Sequence, residues 1–449
     1  QYLYGRSHLM LSPRAESLGE ALCVLFDIAE NKNAEQVISN VPILDFGIPC
    51  FYPQIPNIPP YHNNAVWPFV QAYWALASAK AGNESSVLES IAAIYRPAAL
   101  FLTNKENFVA DNGDFKGTQI NSSNMLWSLS GNLAIVYKIF FGLEFQSNKL
   151  VFHPFVPTVF AGHRELKNFS YRKASLDIEM DGSGNKIKSF EINGKPSKPE
   201  LDENISGRVS IKIILENDNN QQQSIHKVDN YFSLPNPTLK ISENQLSWDS
   251  IKDADHYEII QNGKILTLTK NAHFLIDTNK FSEYQVVAVD DKNIPSFASE
   301  PLYAGNDKGI QIFQMEDYAP ISTSIKSANF HGSGYIEISK NQNTNIILSV
   351  EVKQSGTYLI QFRYANGNGP INTDNKCALR NLNVNGKFVG AMVFPQRGKD
   401  EWSNWGYTNI IQVILQKGKN EIALSFEKNN ENMNGEINQA LLDEMLMTK

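Results

Sequence analysis

Residues 355–367 read Ser355-Gly-Thr-Tyr358-Leu-Ile-Gln-Phe-Arg363-Tyr364-Ala365-Asn366-Gly367, an extended run that stops at an Asn-Gly loop. It lies within a stretch, 306–449, that is all-β from Ile310 to the chain end. Gly332-Ser-Gly and Gly367-Asn-Gly are hairpin or loop glycines there, not phosphate cradles.

Upstream, 233–305 carries short strands at even spacing. These are Asn244-Gln-Leu-Ser-Trp248, Ala254-Asp-His-Tyr257-Glu-Ile-Ile, Gln261-Asn-Gly-Lys-Ile and Glu283-Tyr284-Gln-Val-Val-Ala-Val. Residues 149–232 alternate polar and apolar positions in Ser175–Met180, Ile187–Ile192 and Val209–Leu215, the period of a half-buried sheet. Asp181-Gly-Ser-Gly-Asn and Asn193-Gly are expected to be hairpin turns, and the polar run Asp218–Ser224 an exposed loop.

The first third changes period. Leu18, Ala21, Leu22, Leu25, Ile28 and Ala29 recur at three and four, one buried helix face. Asn64 is expected to cap a helix carrying Trp67, Val70, Gln71, Trp74, Ala75 and Ala79, with Gly82 as its stop. Two further helices are expected near Ser85–Leu102 and Asn124–Phe141, and the Pro-rich Val41–Pro60 is an irregular loop.

A chain of 449 residues exceeds the roughly 250–300 residues at which single cores stop growing, so several domains are required. At 42% hydrophobic and 19% charged residues the composition is globular, and no apolar run reaches the roughly 20 residues of a membrane span. Lys+Arg 40 against Asp+Glu 47, net charge −7, argues against a nucleic-acid partner. Cys23, Cys50 and Cys377 form no ligand spacing and no disulfide framework; buried thiols and a Cys23–Cys50 bridge both stay open. His-Glu-x-x-His, the P-loop and Gly-x-Ser-x-Gly are absent.

Residues 306–449 resemble the carbohydrate-binding modules of families 6 and 35. The resemblance runs through Phe313-Gln-Met-Glu316-Asp, Gly332-Ser-Gly-Tyr-Ile-Glu, the 355–367 run, Trp402-Ser-Asn-Trp405 and Ala440-Leu-Leu-Asp443. It implies a jelly-roll sandwich. A sugar presents CH-rich faces to aromatic rings and hydroxyls to amides, so Tyr364, Asn366, Trp402 and Trp405 are the candidate ligand contacts. The resemblance also implies a structural calcium held through Glu316 and Asp443, although Gln314 stands where a second Glu is usual. Residues 235–304 resemble a fibronectin type III domain, implying a spacer.

Residues 1–148 resemble the C-terminal part of the six-hairpin (α/α)6 glycosidases. The motifs are Arg14-Ala-Glu16-Ser-Leu18-Gly19-Glu20, Tyr61-His62-Asn63-Asn64-Ala-Val-Trp67-Pro68, Glu106-Asn-Phe and Leu126-Trp127-Ser128. The implied fold class is multidomain α + β: a partial (α/α)6 toroid, then three all-β domains, a small sheet domain (149–232), the fibronectin-like sandwich (233–305) and the jelly roll. About five of twelve helices are legible, so the missing part of the ring is expected upstream of Gln1 or on another chain. The implied reaction is inverting hydrolysis of a poly- or oligosaccharide, with Glu106 as base, Asp111 as its rival and the general acid expected at or before the chain start. Tyr61, His62, Asn63, Trp67 and Trp127 are candidate substrate contacts. A polysaccharide lyase using Tyr61 and His62, and a non-catalytic glycan-binding protein, are the competing readings. No catalytic cofactor is implied, and the resemblances place the protein in the periplasm or outside the cell.

Overall fold

A computed structural model describes residues 11–216, 223–279, 281–306, 309–370, 376–431 and 438–449. Five α-helices occur among them, all before residue 135; strands dominate the rest. No helix among the described residues is long and apolar enough to cross a membrane.

The helices are α1 (Ser17–Leu25), α2 (Lys32–Asn40), α3 (Pro68–Lys80), α4 (Glu84–Phe101) and α5 (Leu126–Ala134), the last running into a π-helical turn, Ile135–Phe140. α3 is the hub, packing against α1, α4 and α5. Pro68 opens it at a position where a missing N–H costs nothing, so the cap is Trp67 and not Asn64. Trp74 is fully buried on α3 and donates Nε1–H to Ser86 Oγ at 3.0 Å. Gly131 of α5 lets that helix approach closely, since a Cβ there would lie 2.9 Å from the Ala72 methyl. α1 ends at Leu25, leaving Ile28 exposed outside the expected apolar face.

This arrangement overturns the partial (α/α)6 toroid. Five helices of nine to eighteen residues cluster around one central helix, tied by short strand pairs such as Ala65–Val66 with Phe108–Val109. Apolar spacing reports that a helix buries a face but not what covers it, and here the cover is a small cluster followed by a mostly β chain. The expected complement to the ring loses its premise with it.

The next unit has a five-stranded sheet in the order Lys195–Pro196, Lys186–Ile192, Ser206–Glu216, Lys173–Gly182, Gly162–Tyr171. Ser206–Glu216 inserts between its neighbours and runs parallel to Lys173–Gly182. Asp181–Asn185 therefore joins strands that do not pair, correcting the expected hairpin. Asn193-Gly194 does close one, with Ile192 opposite Lys195 and both turn residues at positive φ. Most of the polar run 218–224 lies outside the described residues. From Gln223 the chain returns to the helices: Asn83 Nδ2 donates to Ser224 O, and His226–Lys227 pairs parallel to Pro42–Ile43.

Residues beyond 233 form two sandwiches. The first faces a three-stranded sheet (Lys240–Ser242, Gln245–Ser247, His273–Leu275) against a four-stranded one, around Trp248, Tyr257, Tyr284 and Val286. In the second, Gly356–Ala365 lies inside a six-stranded sheet beside Ala440–Thr448, facing Asn345–Val352, Gly418–Ser425, Ala378–Val384 and Lys387–Phe394. The core between these sheets includes Phe362, Phe394, Leu382 and Met445. No disulfide joins the cysteines, and Cys23 and Cys50 are buried.

Candidate functional site

The 55–67 loop is shaped by Asn63. Its Oδ1 accepts from Ile55 N at 2.7 Å, and its Nδ2 donates to Ile55 O and Ile58 O. Those bonds occupy Asn63, so it builds the site without facing it. They hold Tyr61 and His62 at the rim, where Trp67 Nε1–H donates to Tyr61 O at 2.6 Å. His62 stacks on Trp67 at 4.8 Å between centroids, Tyr61 lies 4.6 Å from His62, and Trp127 tilts against Trp67 at 5.4 Å. Trp67 itself is buried; Tyr61, His62 and Trp127 keep accessible surface.

Glu106 joins this cluster. The residue is 8% exposed, with Oε1 accepting from Tyr61 Oη–H at 3.2 Å and Oε2 from Ser122 N–H at 3.0 Å. The Ala65–Val66 and Phe108–Val109 pairing fixes the two segments against each other. Burial, and then the Glu106 charge, raise the Tyr61 phenol. Burial lowers the His62 imidazole, opposed by Glu106. The result is a positioned carboxylate beside a phenol, an imidazole biased toward neutrality and aromatic faces.

Asp111 belongs to a different network. It is exposed, and accepts from Asn64 Nδ2 at 2.9 Å and Asn230 Nδ2 at 2.6 Å. Asn230 arrives on the returning segment, 166 residues from Asn64, and no local pattern could have announced it.

In the C-terminal sandwich, the expected ligand contacts divide. Tyr364 is 2% exposed and packs edge-on against Phe394; Asn366 is fully buried, its amide donating to Phe394 O and Lys376 O. Asn366 thus braces its loop from inside, whereas Tyr364, although largely buried, still lines a cleft beside Arg363 and Arg397. Trp402 is half-buried and covers Gly367, where a Cβ would lie 2.8 Å from the indole. Trp405 donates Nε1–H to Ala328 O at 2.7 Å, meets Tyr335 edge-on and lies 5.2 Å from the Arg363 guanidinium.

For a calcium ion, Glu316 and Gln314 carry the fit. Glu316 Oε1 accepts from Ser333 N and Gly334 N, while Glu316 Oε2 and Gln314 Oε1 are buried without a hydrogen-bond partner. Two such oxygens suit a hard cation. Asp443 is fully buried, accepts from His331 N at 3.1 Å and is ion-paired to Arg363, so its charge is already balanced by a guanidinium that sequence reasoning did not foresee.

No family model matches the chain. It is 28% identical over 120 residues to a cycloisomaltooligosaccharide glucanotransferase of Niallia circulans, covering 26% of this chain and 12% of that protein. To an isomaltosyltransferase of Sporosarcina globispora it is 29% identical over 107 residues, covering 24% and 9%. The chain thus spans about a tenth of the length of these curated relatives. Among solved structures, a family 35 carbohydrate binding module from Clostridium thermocellum is 26% identical with a TM-score of 0.24, covering 31% of this chain and 96% of that one.

Proposed function

We propose that this chain is part of a carbohydrate-active enzyme, with 306–449 as a saccharide-binding module and the Tyr61–Glu106 cluster as the site of chemistry. The observation that carries the reading is the Tyr61–Glu106 hydrogen bond beside His62, Trp67 and Trp127. Glu106 takes a proton from an attacking water while the glycosidic bond breaks, and a general acid supplies the proton to the leaving oxygen. Among the described residues, the Glu106 carboxylate accepts from the Tyr61 hydroxyl and the Ser122 backbone N–H. Trp402 offers the module a ring face, and Glu316 and Gln314 would hold a calcium ion beside the 333–334 backbone, where it would supply positive charge to brace that loop. Secretion beyond the cytoplasm accords with this role.

A second reading, transfer to a sugar hydroxyl instead of water, is favoured by the two relatives named as transferases. Product analysis on neutral gluco-oligosaccharides separates them: free reducing sugar marks hydrolysis, longer oligosaccharides mark transfer. An unsaturated product absorbing in the near ultraviolet would replace both with a lyase. Binding without any product would leave a glycan-binding protein.

A further inference from the structure

A cleft of about 730 Å³ lies between the 234–306 sandwich and the C-terminal one. That size falls within the roughly 300–1,000 Å³ of pockets that enclose small ligands. One wall carries Thr238 and Glu300, the other Arg363, Arg397, Trp405 and Tyr407. Its two halves are fastened together. Arg397, 4% exposed at the side chain, forks onto Glu300 across the boundary, Nη1–H to Oε1 at 2.9 Å and Nη2–H to Oε2 at 3.1 Å. Arg397 Nε–H also donates to Asn404 O at 2.7 Å, and a methyl at Gly406 would overlap the guanidinium. Tyr303 meets Tyr407 edge-on at 4.7 Å across the same boundary, and its hydroxyl lies 3.0 Å from Gln361 Oε1.

The charges in this cleft are matched before any ligand arrives. Glu300 balances Arg397, and Asp443 balances Arg363. A phosphate or a uronate would have to displace one of those carboxylates, at the cost of an unpaired buried charge. What remains on offer is the hydroxyl of the exposed Thr238, the half-exposed Glu300 carboxylate as acceptor, and the aromatic sides of Trp405 and Tyr407. Neutral polyhydroxylated rings use all three.

We propose that this composite cleft, half of it supplied by the 234–306 sandwich, is a second saccharide site for a neutral oligosaccharide of two or three rings. It rests on the saccharide-binding reading of 306–449 and adds that the neighbouring sandwich is part of the binding surface.

Calorimetric titration of the full chain tests it, using neutral trisaccharides of glucose, xylose and mannose with trigalacturonate as the charged control. Two equivalents of a neutral trisaccharide are expected. Thr238→Trp fills the cleft from an exposed position and should remove one equivalent at unchanged Tm, while Trp402→Ala should remove only the other. Glu300→Gln leaves Arg397 unbalanced, so neutral binding in the cleft should weaken at least tenfold and trigalacturonate should gain at least tenfold. A single equivalent that Thr238→Trp and Glu300→Gln leave intact would overturn the cleft and spare the module. Absence of binding by every trisaccharide would overturn both.

Discussion

The Tyr61 hydroxyl donates to Glu106 Oε1 at 3.2 Å, joining the aromatic rim of the 55–67 loop to a buried carboxylate 45 residues away. The Ser122 amide holds the other oxygen, so the carboxylate has one orientation. In the proposed role of base, a carboxylate held this way needs no reorganisation before it acts.

Glu106→Gln keeps the shape of the side chain and removes its basicity. Turnover on the preferred oligosaccharide should fall by about 10²–10⁴-fold, the usual range for a general base, with saccharide affinity unchanged. Steady-state kinetics alongside calorimetry check this. Full activity would rule Glu106 out as the base.

His62 and His163 should have pKa values displaced in opposite directions. The Asp181 and Glu165 hydrogen bonds raise His163 above its ordinary value, and burial lowers His62. The favourable His163 interaction is therefore complete below the unfolded-state pKa and is lost as pH rises through the folded one. For His62 the sign reverses, and acidification below the unfolded-state pKa is destabilising. NMR titration should order the midpoints His62 below His163, and Glu106→Gln should lower His62 further by removing the charge that supports its protonation.

Gly367→Ala should cost saccharide affinity without touching a ligand group. The added methyl would lie 2.8 Å from the Trp402 indole and push the ring off its seat. A loss of about tenfold, or 1.4 kcal/mol, is expected and should match Trp402→Ala. Wild-type binding by Gly367→Ala would remove Trp402 from the ligand surface.

Arg14 fastens three segments. It is 2% exposed, donates to Pro53 O at 3.1 Å and Ser233 Oγ at 2.5 Å, and lies 3.5 Å from the Phe297 ring. Hydrogen bonds from a charged group contribute about 1.5–3 kcal/mol each, so Arg14→Leu should lose about 3 kcal/mol in urea unfolding. Lys should rescue little, because it lacks the planar fork. A loss under about 1 kcal/mol would show the contact to be incidental.

Much of the local structure was legible. The spacing of Trp67, Val70, Gln71 and Trp74 puts Trp67 at the cap of α3 and the other three on it, and alternation along 206–216 puts Val209, Ile211, Ile213 and Leu215 in the core. Tyr61, His62 and Trp67, Glu106, and Trp127 came from three separate motifs of the glycosidase resemblance, and their side chains lie together in the fold. The partial toroid failed one level up. Periodicity along one helix carries no information about how many partners surround it.

Which stretches of this protein are helical and which extended was largely readable from residue order alone, because side-chain period follows backbone geometry residue by residue. The sequence also singled out residues whose chemistry suits sugars. Only the tertiary structure decided which of them face outward: Tyr364 and Asn366 went inside, Trp402 onto Gly367, and Asn230 came back to Asp111. It alone matched Arg397 with Glu300, 97 residues apart. Burial and charge pairing are properties of what the rest of the chain brings alongside, and no neighbouring residue in sequence records them.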